Sequence, residues 1–150
     1  MSEFQAVICQ LGDESYGLDI GSVYEIIRFQ ECTAVPTSPS YVDGVINLRG
    51  RIIPVMDLSS RFGLTRATTT RSTRIIVAGT GGVRVGLVVD AVTEVLMLSE
   101  DAVEATPDVV SGRDSTYIRG IAKLPDQLVI LLDLGVLFSD HAVTAIAQVA

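Results

Sequence analysis

Apolar residues in this chain fall in short runs, and few windows show a helical period. Ala6-Val7-Ile8-Cys9-Gln10-Leu11 leads into Gly12-Asp13-Glu14, after which Tyr16 to Ile20 returns. Arg74-Ile75-Ile76-Val77-Ala78 leads into Gly79-Thr80-Gly81-Gly82, after which Val83 to Val89 returns. Runs rich in β-branched residues on either side of a Gly or Asp turn predict β-hairpins. Arg51 to Met56 and Gln127 to Leu132 predict further strands, and Val92, Val95, Leu96 and Leu98 read as strand residues turned mostly to a core. Pro54 has no N–H to give a ladder, which predicts an edge or irregular position for it. Helical spacing is confined to Pro39-Ser40-Tyr41-Val42, one turn at most, and to 140–149, where Asp140 is a suitable N-cap.

The pattern occurs twice. Tyr16-Gly17-Leu18-Asp19-Ile20-Gly21-Ser22-Val23-Tyr24-Glu25-Ile26 aligns with Val85-Gly86-Leu87-Val88-Val89-Asp90-Ala91-Val92-Thr93-Glu94-Val95 at an offset of 69. At an offset of 76, Gly44, Leu48, Asp57, Leu58 and Phe62 meet Gly120, Leu124, Asp133, Leu134 and Phe138. Chance pairing of apolar strands explains scattered Val and Ile matches, but not a Gly, a Leu, an Asp-Leu and a Phe in step. The chain therefore divides into one copy over about 4–62 and a second over about 74–138, with a polar, Thr-rich joint at 63–73. Each copy, at about 60 residues and five short strands, has little core of its own, so the two are expected to pack together. The symmetric acids Asp57 and Asp133 each stand at a strand end before a Leu, which suits a turn hydrogen-bonder better than half of a catalytic dyad.

Composition narrows the functional classes. Apolar residues make up 48% of the 150, enough for a real core. The net charge of -7 opposes a phosphate-tracking surface, although Arg61, Arg66, Arg71 and Arg74 form a local basic group. Nucleic acid is therefore not an expected partner. Cys9 and Cys32 stand 23 residues apart and form no CxxC, so neither a disulfide framework nor a metal site is expected. His141 is the sole histidine, which disfavours Ser-His chemistry and a His-rich metal site. Gly79-Thr80-Gly81-Gly82 fails GxGxxG at Arg84 and precedes a strand rather than a helix, so it reads as a hairpin turn and not a phosphate cradle. No signal peptide opens the chain and no apolar stretch approaches the roughly 18 residues of a membrane-spanning helix, so a cytoplasmic protein is expected.

The stretch Gly44-Val45-Ile46-Asn47-Leu48-Arg49-Gly50-Arg51-Ile52-Ile53-Pro54-Val55-Met56-Asp57-Leu58 resembles the signature of the CheW-like family, G-V-x-N-L-R-G-x-[IV]-[IVL]-P-[IV]-x-D-L. Gly17-Leu18-Asp19-Ile20 with Val23-Tyr24-Glu25-Ile26, and Val85 to Asp90 with Val92-Thr93-Glu94-Val95, resemble the family's other two blocks. The resemblance covers residues 4 to 140. It implies an all-β fold with few short helices: two SH3-like five-stranded β-barrels related by internal duplication, a shared core and a C-terminal helix. It also implies a non-enzymatic chemotaxis adaptor, without metal or cofactor, that couples methyl-accepting chemoreceptors to the regulatory domain of the histidine kinase CheA. Such a protein reaches the membrane only through its receptors. A CheW-like scaffold in another receptor–kinase pathway is the alternative. The absence of kinase or receiver segments in the 150 residues favours the stand-alone adaptor over a kinase's own CheW-like domain.

Carried over position by position, the resemblance places receptor binding on Val23, Glu25, Ile27, Asn47, Arg49 and Gly50. It places kinase binding on Glu31, Cys32, Thr33, Ala34 and Val35, as a strand of the first barrel. The two copies differ at the first of these sites. Copy one carries Asn47-Leu48-Arg49-Gly50-Arg51 where copy two carries Lys123-Leu124-Pro125-Asp126-Gln127. A shared packing requirement would tolerate similar turns in both, so the Arg-Gly turn is the expected centre of a docking site.

Overall fold

A computed structural model of the chain describes residues 2–36, 38–65, 68–80, 82–105 and 117–138. The first copy supplies the hairpin β1 (Glu3–Leu11) and β2 (Glu14–Asp19), then β3 (Val23–Arg28), the hairpin β4 (Val42–Leu48) and β5 (Arg51–Asp57), and the single-turn helix α1 (Leu58–Arg61). The second supplies the hairpin β6 (Arg74–Thr80) and β7 (Val83–Val89), then β8 (Ala91–Ser99), the two-residue β9 (Val103–Glu104), the hairpin β10 (Ile118–Lys123) and β11 (Leu128–Leu132), and α2 (Leu134–Leu137). The expected helix at 140–149, with His141, lies outside the described residues. Around Pro39 there is only a turn, closed by the Val42 N–H donating to the Pro39 carbonyl at 3.0 Å. Among the described residues no helix is long and apolar enough to cross a membrane.

The strands form two sheets, ordered β8-β1-β2-β11-β10-β9 and β3-β6-β7-β5-β4. When each strand is replaced by its counterpart in the other copy, one order becomes the other, with β9 as an addition. The sheets therefore do not follow the copies one to one. The hairpin β1–β2 lies between β8 and β11 of the second copy, and the hairpin β6–β7 lies between β3 and β5 of the first. The seams are parallel: Ser15, Tyr16 and Gly17 pair with Val129, Ile130 and Leu131, and Gly86, Leu87 and Val88 pair with Val55, Met56 and Asp57. Each copy thus contributes strands to both barrels, as suits copies that have little core of their own.

Three cores result. Ala6, Ile8, Leu98, Ala122, Val129 and Leu131 fill one barrel, and Ile46, Ile53, Val55, Ile75, Val77 and Val88 fill the other. The third and largest draws on both, including Val7, Cys9, Leu18, Met56, Leu58, Ile76, Leu87 and Leu137. Strands β1 and β6 feed two cores each, with alternate residues going to opposite faces. Phe62 is stacked between Tyr16 and Tyr117, with ring centroids 5.5 and 4.5 Å away. The Arg61 guanidinium lies over Tyr41 and Tyr117, at 5.2 and 5.4 Å from the ring centroids.

The duplicated polar residues act as the sequence suggested. The Asp57 carboxylate accepts from the Ser60 N–H at 3.2 Å and caps α1, and that of Asp133 accepts from the Val136 N–H at 3.1 Å and caps α2. Pro54 stands at an irregular position and not at a sheet edge, because β5 is an interior strand. Its partner Val45 spends its own N–H and C=O on Thr33, both at 2.9 Å, and the β5–β7 ladder begins only at Val55. No ladder hydrogen bond is therefore required of the Pro54 nitrogen.

Burial, and secondarily the Asp90 charge, pushes the Cys9 thiol up to about 12 from its ordinary value of 9.0. The folded value is the higher one, so this group's contribution to stability is whole below pH 9 and is lost as pH rises through about 12. Burial and Glu14 likewise raise the Tyr16 phenol, whose hydroxyl donates to Glu14 at 3.1 Å.

Gly44 lies against the Thr33 carbonyl with φ +138°, so a Cβ there meets backbone and is strained as well. Gly12 has φ +60° but open space around it. We expect Gly44→Ala to lower stability in urea unfolding by more than about 2 kcal/mol, and Gly12→Ala by about 1 kcal/mol. Equal losses would show that the Thr33 contact contributes little.

Candidate functional site

Strands β4 and β5 are joined by the two-residue turn Arg49-Gly50, with Leu48 paired to Arg51. Both turn residues have positive φ, 53° and 83°, the sense that suits the twist of a tight hairpin. Gly50 adopts this conformation freely, whereas Arg49 is the only non-glycine residue with positive φ among the described residues. The turn is braced from the strand, because the Asn47 carboxamide oxygen accepts from the Gly50 N–H at 2.9 Å.

The strained position aims a charge. The Arg49 guanidinium donates to the Glu25 carboxylate at 2.5 Å, while its side chain stays 73% exposed against 29% for Glu25. The hydrogen bond to Glu25, then that residue's charge, raises the Arg49 pKa further above its already high value. Glu25 lies on β3 and Arg49 follows β4, and these are the two edge strands of the five-stranded sheet. The pair therefore reaches across the barrel's open seam.

The structure brings together Glu25, Asn47, Arg49 and Gly50. Val23 and Ile27 are half-buried, Val23 packed on the joint core and Ile27 on the barrel core. The strongly exposed apolar side chains near the turn are others: Tyr24, Ile26 and Ile52, at 53%, 40% and 41%. Sequence reasoning missed these three. Val-Tyr-Glu-Ile-Ile-Arg is apolar at both parities, so although burial alternates strictly along β3, the residues do not mark which parity faces outward. Ile52 lies directly across the ladder from Asn47. The Tyr24 ring is held by Arg84, 4.1 Å from the ring centroid, and by the close approach of Gly79, where a Cβ would come within 2.7 Å of Tyr24 Cε2.

Glu31 to Val35 do not form a strand, which corrects that part of the sequence reading. Only Thr33 is bridged, to Val45 on the outer edge of β4. Pro36 ends the segment, and Gly44 leaves room for a single crossing of the β4 edge. Glu31, Thr33 and Ala34 are exposed, and Cys32 and Val35 are half-buried. Glu31 and Cys32 join Phe29 and Asp43 in lining a shallow hollow of about 280 Å³.

The sequence model of the CheW-like domain matches residues 5–142. A chemotaxis protein CheW from Treponema pallidum is 33% identical over 150 residues, covering 97% of this chain and 88% of that protein. A probable chemotaxis protein CheW from Rhizobium etli is 37% identical over 136 residues, covering 91% and 88%. The crystal structure of the scaffolding protein TtCheW from Thermoanaerobacter tengcongensis superposes with a TM-score of 0.85 at 38% identity, covering 95% of this chain and 92% of that one.

The two cysteines of this architecture should differ in reactivity. At pH 8, Cys32 is expected to react with a thiol reagent in the native protein, whereas Cys9, fully buried and with its thiolate disfavoured, reacts only on unfolding. Two thiols titrating together without denaturant would contradict the burial of β1.

Proposed function

The chain belongs to the CheW-like family and serves as a chemotaxis adaptor, and from that premise we propose that it couples the cytoplasmic tips of methyl-accepting chemoreceptors to the regulatory domain of the histidine kinase CheA. The receptor-facing region is β3 with the β4–β5 turn: Val23, Glu25, Ile27, Asn47, Arg49 and Gly50. The kinase-facing region is Glu31 to Val35. The protein acts by docking rather than catalysis, in the cytoplasm, and reaches the membrane through its receptors.

The observation that carries this reading is Arg49. A left-handed backbone disfavours Arg, and a packing turn at this place would favour Asn or Gly. The chain keeps an Arg there, exposed and oriented by Glu25. An exposed ion pair adds little to fold stability, so its use is to present a fixed fork of donors beside apolar surface. A receptor helix laid along β3 would bury an apolar stripe on the accessible parts of Val23 and Ile27, with Ile26 and Ile52 extending the contact. Glu25 and Arg49 would set its register.

Arg49→Ala should unfold thermally like the wild type, since nothing buried is lost. It should bind receptor-bearing membranes about five- to tenfold more weakly and activate the kinase correspondingly less. The assay is co-sedimentation with receptor membranes and CheA, followed by kinase autophosphorylation. A folded Arg49→Ala protein that co-sediments and activates undiminished would overturn the assignment.

A further inference from the structure

A second polar feature lies at the far end of β3, away from the Arg49 turn. Arg28, Phe29, Thr70, Arg71, Thr73 and Arg74 line an open hollow of about 600 Å³. Arg28 and Arg74 are direct cross-strand partners where the β3–β6 ladder ends. Like charges opposite each other on antiparallel strands repel, and natural ladders usually relieve this with an acid. The chain has 18 carboxylates against 11 basic side chains, yet among the described residues none pairs with Arg28, Arg71 or Arg74.

The loop before β6 fixes two of these arginines. The Thr73 hydroxyl, in a buried residue, accepts from the Thr70 N–H at 2.9 Å, and the Thr70 hydroxyl accepts from the Ser72 N–H at 3.1 Å. Arg74 Nη1 donates to the Arg71 and Thr73 carbonyls at 2.6 and 2.9 Å. One edge of the Arg74 guanidinium is thus held by backbone and the rest is left for a ligand. Residues 70–73, the end of the Thr-rich joint, form a tied turn that sets Arg71 and Arg74 beside Arg28.

We propose that this hollow binds a small, multiply charged phosphate anion, of the diphosphate or phosphate-ester class. Planar guanidinium forks match phosphate oxygens two at a time, and three of them at one concave place suit an anion carrying several charges. Phe29, half-buried in the wall, limits solvent on one side. The hollow is a local positive site on a chain of net charge -7, so its binding weakens with ionic strength.

The test is a titration of inorganic pyrophosphate into the whole protein, at low and at physiological ionic strength, followed by calorimetry and by backbone amide NMR. The expected result is saturable binding that shifts the amides of residues 28–29 and 70–74. Arg28→Gln and Arg71→Gln should each weaken it about tenfold or more, while Arg119→Gln, whose partner is Glu100, should not. Among the described residues neither Arg28 nor Arg71 donates a side-chain hydrogen bond, so their variants should remain native by amide spectrum. The proposal is overturned by absence of pyrophosphate binding, by binding that the two variants leave unchanged, or by shifts centred elsewhere. It is equally overturned if an oligoglutamate peptide binds this hollow and pyrophosphate does not, because the site would then be a docking surface for acidic protein segments. None of these outcomes bears on receptor or kinase coupling through Arg49.

Discussion

Everything in this structure depends on the reciprocal insertion of one hairpin from each copy into the other copy's sheet. The two parallel seams are where the copies become one object, and close backbone packing decides whether they form. Gly17 faces Leu131 and Val129, and Gly86 faces Ile75 and Val55, so closely that a Cβ would stand within 2.8 to 3.3 Å of those side chains. The repeat preserves this glycine because the seams need it. With the hairpins in place, β1 and β6 can each feed two cores, and a chain of 150 residues fills three apolar clusters that neither half could fill alone.

Much of this was legible in the residues. Hairpins, strand class, duplication and the capping role of the symmetric aspartates follow from local chemistry: turn residues, alternation and spacing. Which hairpin joins which sheet does not, because an exchanged and an unexchanged pairing present the same hydrophobic pattern to a reader of sequence. Where in the sheet Pro54 would be tolerated is hidden for a related reason. Its tolerance rests on Val45 turning its polar groups toward Thr33, a contact made by a segment with no strand signal of its own. In β3 the alternation is kept, but apolar residues stand at both parities, so the pattern alone does not say that Tyr24 and Ile26 are the outward pair.

The candidate site was legible as a motif and as a difference between copies, but its geometry was not. Sequence gives an Arg beside a Gly. The structure adds that this Arg takes the left-handed backbone and that its acid partner lies on the opposite edge of the same sheet. A barrel seam is a natural place for a docking site, because the edges are where strand curvature leaves side chains accessible without opening the core. Copy two carries Pro125-Asp126 at the matching turn, so the Arg-Gly turn belongs to one copy only of a nearly symmetric chain.

The exchanged hairpins also set the order of events on the ribosome. The hydroxyl of Ser15 donates to the carboxamide of Gln127 at 3.0 Å, across 112 residues of chain. When β1 and β2 emerge from the exit tunnel, the strands that will flank them have not been translated. The nascent hairpin must wait with two unpaired edges and an apolar face toward solvent, in the condition that chaperones recognise. Closing the sheets therefore waits for β8 and β11, and contacts so distant in sequence make for slow folding in so small a protein.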